Sequence, residues 1–327
     1  MGGTQTWLCA PPYVSSNKPA PKRSYPFQRP SNQPFSGGSR LAHNQREFFG
    51  SQQHPRQHHS QQPRIKKEPK GKSEDFPRKA GFRDRWEELG APPYILRLIS
   101  GTRIPLVSRP PLFGNWQQSR FITRFSPEMS KQIDLLKLQR VLEPPKREGP
   151  SFISRIFLVT KSNGDPCPIF DLRGLNIHVQ TQKFRLISHH QIPEFLQNGD
   201  FMTRIDIFQA YFHVPIAESH RQLLRLVYNG ELLQMTSLPF SLSSAPHTFA
   251  MISNWVAETI RSLGVRLIVY LDDFLLACQN RSKLMVPTEE TVKLLTHLGW
   301  VVNLEKCDLT PNQRMDFLGF TWDSKQN

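Results

Sequence analysis

The run Leu267-Ile268-Val269-Tyr270-Leu271-Asp272-Asp273-Phe274-Leu275-Leu276 is apolar throughout except for two adjacent aspartates. Its flanks call for buried strands, yet carboxylates buried without partners are costly. Two arrangements meet both demands. Either the acids form the exposed tip of a hairpin, or cations, backbone donors or water compensate them inside the fold. A second segment, Arg204-Ile205-Asp206-Ile207-Phe208-Gln209-Ala210-Tyr211, ends an apolar strand on one aspartate and follows it with an aromatic-rich turn. Carboxylates gathered at adjacent strand ends can hold two divalent cations about 3.5–4 Å apart, which activates a hydroxyl nucleophile and stabilises the leaving oxygen in phosphoryl transfer. Hard oxygen ligands favour Mg²⁺.

The surrounding pattern predicts an α+β domain. Phe201 to Asp206 reads as a strand, as does Ile153 to Thr160, with Pro168 to Leu172 returning after a turn at Lys161 to Asp165. Tyr228-Asn229-Gly230-Glu231 is a hairpin turn between the strands 220–227 and 232–236. Helices are expected over 127–141 after the cap Ser126, over 244–263, and over 288–298 with a stop at Gly299. Trp86 through Ile99 suggests a short helix ending near Gly101, and residues 103–120 an extended, Pro-rich wrap. These signals divide the chain into 1–81, 82–125 and 126–327. The first part is rich in Gln, Ser, Pro, His and Arg and is expected to be a disordered basic leader. Mean hydropathy of -0.47 and 28 prolines fit such a division.

Composition narrows the partners. A net charge of +15 points to a phosphate-rich one, although a basic surface serves solubility as well. No stretch approaches 18 apolar residues, so no membrane partner is expected. The N-terminus lacks a secretory pattern. Cys9, Cys167, Cys278 and Cys307 form no C-x-x-C pair, so free thiols and a cytoplasmic or nuclear location are expected.

The chain resembles the reverse transcriptases. Tyr270-Leu271-Asp272-Asp273 looks like their Y-x-D-D signature, and Asp206 to Tyr211 like the preceding metal-binding motif. Leu238 to Phe249 resembles the motif that contacts template and nucleotide. Phe157 to Lys161 and Phe170 to Asn176 resemble the fingers hairpin, and Leu298 to Lys306 with Phe317-Leu318-Gly319-Phe320 the later palm motifs. The wording of these motifs is most similar to retrotransposons of the DIRS type, with the Ty3-like group next.

The resemblance implies a right-hand polymerase fold, fingers and palm, with an antiparallel palm sheet and packed helices. It implies an RNA-directed DNA polymerase that takes a template with primer, RNA or DNA, and deoxynucleoside triphosphates. Other retroelement proteins would be further partners. Asp206, Asp272 and Asp273 would be the catalytic residues and hold two Mg²⁺, with Mn²⁺ as substitute. Tyr211 would lie under the incoming sugar, Phe240 would line the nucleotide pocket, and Lys161 and Arg173 would be its fingers contacts.

Three positions depart from the family pattern. Cys167 stands where an arginine is usual, and a thiol cannot clamp triphosphate oxygens as a guanidinium does. Ser241 replaces a glycine, a penalty if that position needs positive φ or close backbone approach. Gln209 replaces an acidic residue before Ala210-Tyr211. The chain also stops at Asn327, after the last palm motif, so a truncated reading frame without thumb or RNase H is expected. Impaired catalysis follows. The alternative is a catalytically inactive nucleic-acid-binding remnant.

Overall fold

A computed structural model describes residues 82–160, 164 and 166–326. The expected leader 1–81, and Lys161 in the fingers turn, lie outside these residues. In chain order the elements begin with α1 (Phe82–Glu88), α2 (Pro93–Gly101), β1 (Ile122–Thr123), α3 (Pro127–Leu138) and β2 (Leu142–Glu143). The hairpin β3 (Arg155–Thr160) and β4 (Pro166–Asp171) follows, then α4 (Arg173–Asn176), α5 (Ile192–Phe195) and β5 (Phe201–Asp206). Next come α6 (Glu218–Arg221), β6 (Arg225–Tyr228), β7 (Glu231–Met235), α7 (Ala245–Ser262), β8 (Leu267–Tyr270) and β9 (Asp273–Cys278). The described chain closes with α8 (Arg281–His297), β10 (Asp308–Asn312), β11 (Arg314–Phe317) and β12 (Phe320–Asp323).

The expected mixed α+β architecture is the observed one. One sheet has the order β10-β5-β9-β8, and all its pairings are antiparallel. A second has the order β1-β6-β7-β2, and β3–β4 and β11–β12 are two-stranded hairpins. The β6–β7 turn falls at Asn229 (φ 49) and Gly230 (φ 79). Left-handed backbone at both central residues is what makes Asn-Gly the preferred two-residue hairpin turn.

Helices α7 and α8 pack against the central sheet, α7 on β8 and α8 on β5, β9 and β10. The buried residues of α7 include Phe249, Ile252, Val256 and Ile260, which recur at helical spacing on one face. Each such side chain contributes roughly 1.5–3 kcal/mol on burial. A buried hydroxyl contact of 2.8 Å between Thr203 and Thr288 ties β5 to α8.

Two helix expectations need correction. The helix expected to end at Gly101 is two helices, because Gly90 turns the chain at φ 78 and Pro92-Pro93 restart it. The helix expected from Thr288 begins at Arg281, where the Asn280 side chain accepts from the Lys283 N–H at 3.0 Å. Pro287 lies inside it and cannot donate a helix bond, but Leu284, Thr288, Thr291 and Leu295 are buried on both sides of it. Packing overrides the local penalty.

Candidate active site

The acidic dipeptide combines both arrangements open to it from sequence: it sits at a hairpin tip, and it is part-buried. Strands β8 and β9 pair from Leu267↔Leu276 to Tyr270↔Asp273, and Leu271 turns the tip at φ 54. On its other edge Asp273 is registered with Asp206, the last residue of β5. The Ile207 N–H donates to the Asp272 carbonyl at 3.1 Å. Three acids from two distant segments therefore meet at one end of one sheet.

Their electrostatics follow from that crowding. Burial first, then the charges of Asp272 and Asp206, push the Asp273 carboxyl up to about 6, against the pull of Arg204 and Lys306. Asp272 is also raised, chiefly by burial and further by Asp206. Nearby cations thus offset the cluster only in part. The backbone of Asp206 is held from below: its N–H donates to Cys307 Sγ at 3.2 Å and its carbonyl accepts from the Asn303 N–H at 2.8 Å. Arg204, two residues earlier, donates to the carbonyls of Asp316 (3.0 Å) and Lys306 (2.7 Å) and pairs with Asp308 at 3.2 Å. A cleft of about 720 Å³ opens here, lined by Arg204, Tyr270, Asp272, Asp273 and the β11–β12 turn.

Tyr211 joins this group. It follows Gln209, which is left-handed at φ 46, ψ 47. Its ring is buried, and burial, helped by the charge of Asp272, raises the phenol well above its ordinary value. Phe240 meets it edge-on at 5.3 Å and is itself 69% exposed, an unusual state for a large apolar side chain. Two residues beyond Tyr211, burial pushes His213 down to about 4, so its imidazole is neutral at physiological pH.

The other sequence-nominated residues are placed less directly. Arg173 is exposed and forms a two-pronged contact with Asp171, both prongs 2.8 Å. Cys167 sits in β4 opposite Val159. Ser241 has no positive φ, so that ground for a penalty does not apply. Its carbonyl instead accepts from Asn176 Nδ2 at 2.9 Å, while Asn176 Oδ1 accepts from the Ser243 N–H at 2.9 Å. Asn176 thereby ties α4 to the loop that carries Phe240. Sequence reasoning missed Asn176, Arg204 and Cys307 as site residues. The one local signal was Arg204, which shares a strand face with Asp206 at i, i+2.

Residues 160–322 match the protein family described as reverse transcriptase (RNA-dependent DNA polymerase). Residues 160–322 form a reverse transcriptase domain. The Transposon Tf2-3 polyprotein of Schizosaccharomyces pombe is 21% identical over 165 residues, which is 50% of this chain and 12% of that one. The chain thus spans about 12% of the length of the curated relatives it matches. Among solved structures, the foamy viral protease-reverse transcriptase in complex with double-stranded DNA aligns with TM-score 0.54 at 20% identity, over 68% of this chain and 39% of that one. The same viral protein in complex with an RNA/DNA hybrid aligns with TM-score 0.51 at 17% identity, over 75% and 36%. In the terms of a fingers-and-palm fold, β10-β5-β9-β8 is the palm sheet, and β3–β4, whose first strand precedes the matched residues except for Thr160, is the fingers hairpin. Among the described residues, no group of three or more His, Cys, Asp or Glu side chains is arranged to hold a metal ion, and no helix is long and apolar enough to cross a membrane.

Proposed function

We propose that the reverse transcriptase domain is an RNA-directed DNA polymerase of a retrotransposon, of the DIRS type. It extends a primer 3′-hydroxyl with deoxynucleotides along an RNA or DNA template. The observation that carries this reading is the convergence of Asp206, Asp272 and Asp273 at the end of the palm sheet.

The donor set fits divalent cations. The three acids supply hard oxygen ligands and are only partly neutralised by Arg204 and Lys306. Mg²⁺ needs fewer protein ligands than a closed cage, since it is usually held by one or two carboxylates while substrate phosphates and water complete its shell. Mn²⁺ would serve in its place. Bound there, the metal pair would acidify the attacking hydroxyl and neutralise charge on the phosphate.

The chain's own residues have separate tasks. Asp206, Asp272 and Asp273 hold the cations. The buried Tyr211 ring forms a floor on which a deoxyribose rests and against which a 2′-hydroxyl collides. Phe240 stands as an exposed wall beside it. Arg173 approaches the triphosphate from the start of α4, and Lys161 is the second fingers contact that the resemblance implies. Arg173 must then exchange its Asp171 partner for phosphate, a modest cost because the guanidinium is itself solvent-exposed.

Primer extension tests this. The full chain is given a homopolymer RNA template, a DNA primer, labelled deoxynucleotides and Mg²⁺ or Mn²⁺, beside Asp272→Asn/Asp273→Asn and Cys167→Arg variants. Extension abolished by the double amide supports the reading. Extension appearing only with Cys167→Arg locates an impairment at the triphosphate clamp. Folded protein that binds template and primer in EDTA but never extends would favour the binding remnant.

A further inference from the structure

Helix α1 lies outside the family-matched residues, yet it is embedded in the palm. Trp86 is 2% exposed, and its indole N–H donates to the Leu298 carbonyl at 3.1 Å. Arg85 donates to the His297 carbonyl at 2.8 Å, so the two residues together engage carbonyls at the C-terminal end of α8. The Phe82 ring covers Gly299: a Cβ there would meet it at 2.6 Å. Gly299 therefore admits Phe82 as well as supplying the left-handed turn (φ 89).

The next residue, Trp300, is a hub. Its ring lies 5.9 Å from Trp86, 5.6 Å from Phe249 and 6.4 Å from Phe274. Phe249 touches Tyr211 at 5.3 Å, and Tyr211 touches Phe240 at 5.3 Å. Phe274 directly follows Asp273 in β9. An unbroken series of ring contacts thus runs from α1 to both the Tyr211 floor and the acidic turn. Close-packed rings transmit displacement because the core holds no slack.

We propose that α1 is a positioning element of the polymerase site: Phe82 and Trp86 hold Trp300 in place, and Trp300 sets where Tyr211 and the Asp272–Asp273 turn stand. The catalytic consequence rests on the polymerase reading above, whereas the mechanical coupling does not. Trp86 touches no reacting atom. Its effect is on sugar selection, through Tyr211.

The test uses the full chain with Trp86→Leu, Trp86→Phe and Phe82→Ala, and two measurements. Hydrogen exchange is followed at the amides of Ile207, Phe212 and Val214, with the β6–β7 hairpin as remote control. Deoxy-over-ribonucleotide preference is measured as separate kcat and KM values. For Trp86→Leu, exchange at the three site amides should rise about tenfold and the preference fall about tenfold through KM, within the range by which remote residues modulate coupling. Trp86→Phe should restore both. Should Trp86→Leu fail to fold, Phe82→Ala should show the same pattern more weakly. Equal acceleration in the β6–β7 hairpin, or site exchange unchanged in every folded variant, would overturn the proposal and leave α1 as packing alone. A wild-type chain that extends no primer would overturn the polymerase reading, and the exchange pattern would still decide the coupling.

Discussion

Asp206 and Asp273 face each other across β5 and β9, and the charge of the first helps to push the carboxyl of the second up to about 6. The folded chain therefore holds this proton more tightly than the unfolded chain, in which an aspartate titrates at its ordinary 3.8. Stability from this group is full below about pH 4 and is lost as pH rises through 6. At pH 7.5 in EDTA, Asp273→Asn, which mimics the protonated acid, should raise the unfolding free energy by roughly 1–2 kcal/mol. The difference should vanish near pH 4. Urea unfolding of both proteins at the two pH values checks this, and a variant no more stable at pH 7.5 would contradict it.

Cations should replace that proton. With Mn²⁺ at a hundred times its Kd, mass action adds ~2.7 kcal/mol to the wild type. For a domain of this size that is several degrees of Tm. Asp206→Asn should abolish most of the rise. Lowering the pH below 6 should weaken it, because Asp273 must lose its proton to bind metal. Thermal unfolding scans with and without Mn²⁺ at pH 5.5 and 7.5 give the answer.

How far the site could be read from sequence depends on the range of the contacts. The β6–β7 turn was legible because Asn229-Gly230 carries its own conformational signal. The acids were legible because two aspartates in an apolar run demand explanation. The span of α8 was misread because Pro287 speaks locally for a break, while the buried Leu284 and Thr288 that hold the helix together draw on a distant sheet. Asn176, Cys307 and Trp86 act on residues far along the chain, and nothing in their own neighbourhood announces it. Ser241 shows the converse: a glycine in the family pattern suggested a special backbone that this chain does not adopt.

The contact between Tyr211 and Phe240 separates two kinds of effect. Tyr211→Val empties a buried aromatic site and should cost about 2–4 kcal/mol of stability. It should also raise ribonucleotide incorporation. Phe240→Ala removes an exposed ring and should change stability by less than about 0.5 kcal/mol, while nucleotide KM rises. Denaturant midpoints combined with primer extension on deoxy- and ribonucleotides distinguish the two. A stability loss for Phe240→Ala as large as that for Tyr211→Val would refute the assignment of Phe240 as a pocket wall.

Asn176 makes two side-chain hydrogen bonds to the 241–243 loop, one given and one accepted. Asn176→Ala strands the Ser241 carbonyl and the Ser243 N–H, at roughly 1–3 kcal/mol. Because that loop carries Phe240, nucleotide KM should rise with little change in kcat. Asn176→Asp keeps the acceptor, loses the donor, and should fall between wild type and alanine in a KM series at neutral pH.

Gln209 stores strain between the acid Asp206 and the Tyr211 floor. Its left-handed backbone, φ 46 and ψ 47, costs an ordinary L-residue about 1–2 kcal/mol. Glycine escapes that cost but gives back part of it through the greater freedom of the unfolded chain. Gln209→Gly should therefore be stabilising by about 0.5–1 kcal/mol. Gln209→Asp should also gain, since a short polar side chain tolerates this conformation better. Gln209→Val should be destabilised by more than either gains, because a β-branched residue is a genuine outlier at positive φ. Urea midpoints for the three variants order these costs. A valine variant as stable as the glycine variant would show that the backbone at 209 relaxes and stores no strain.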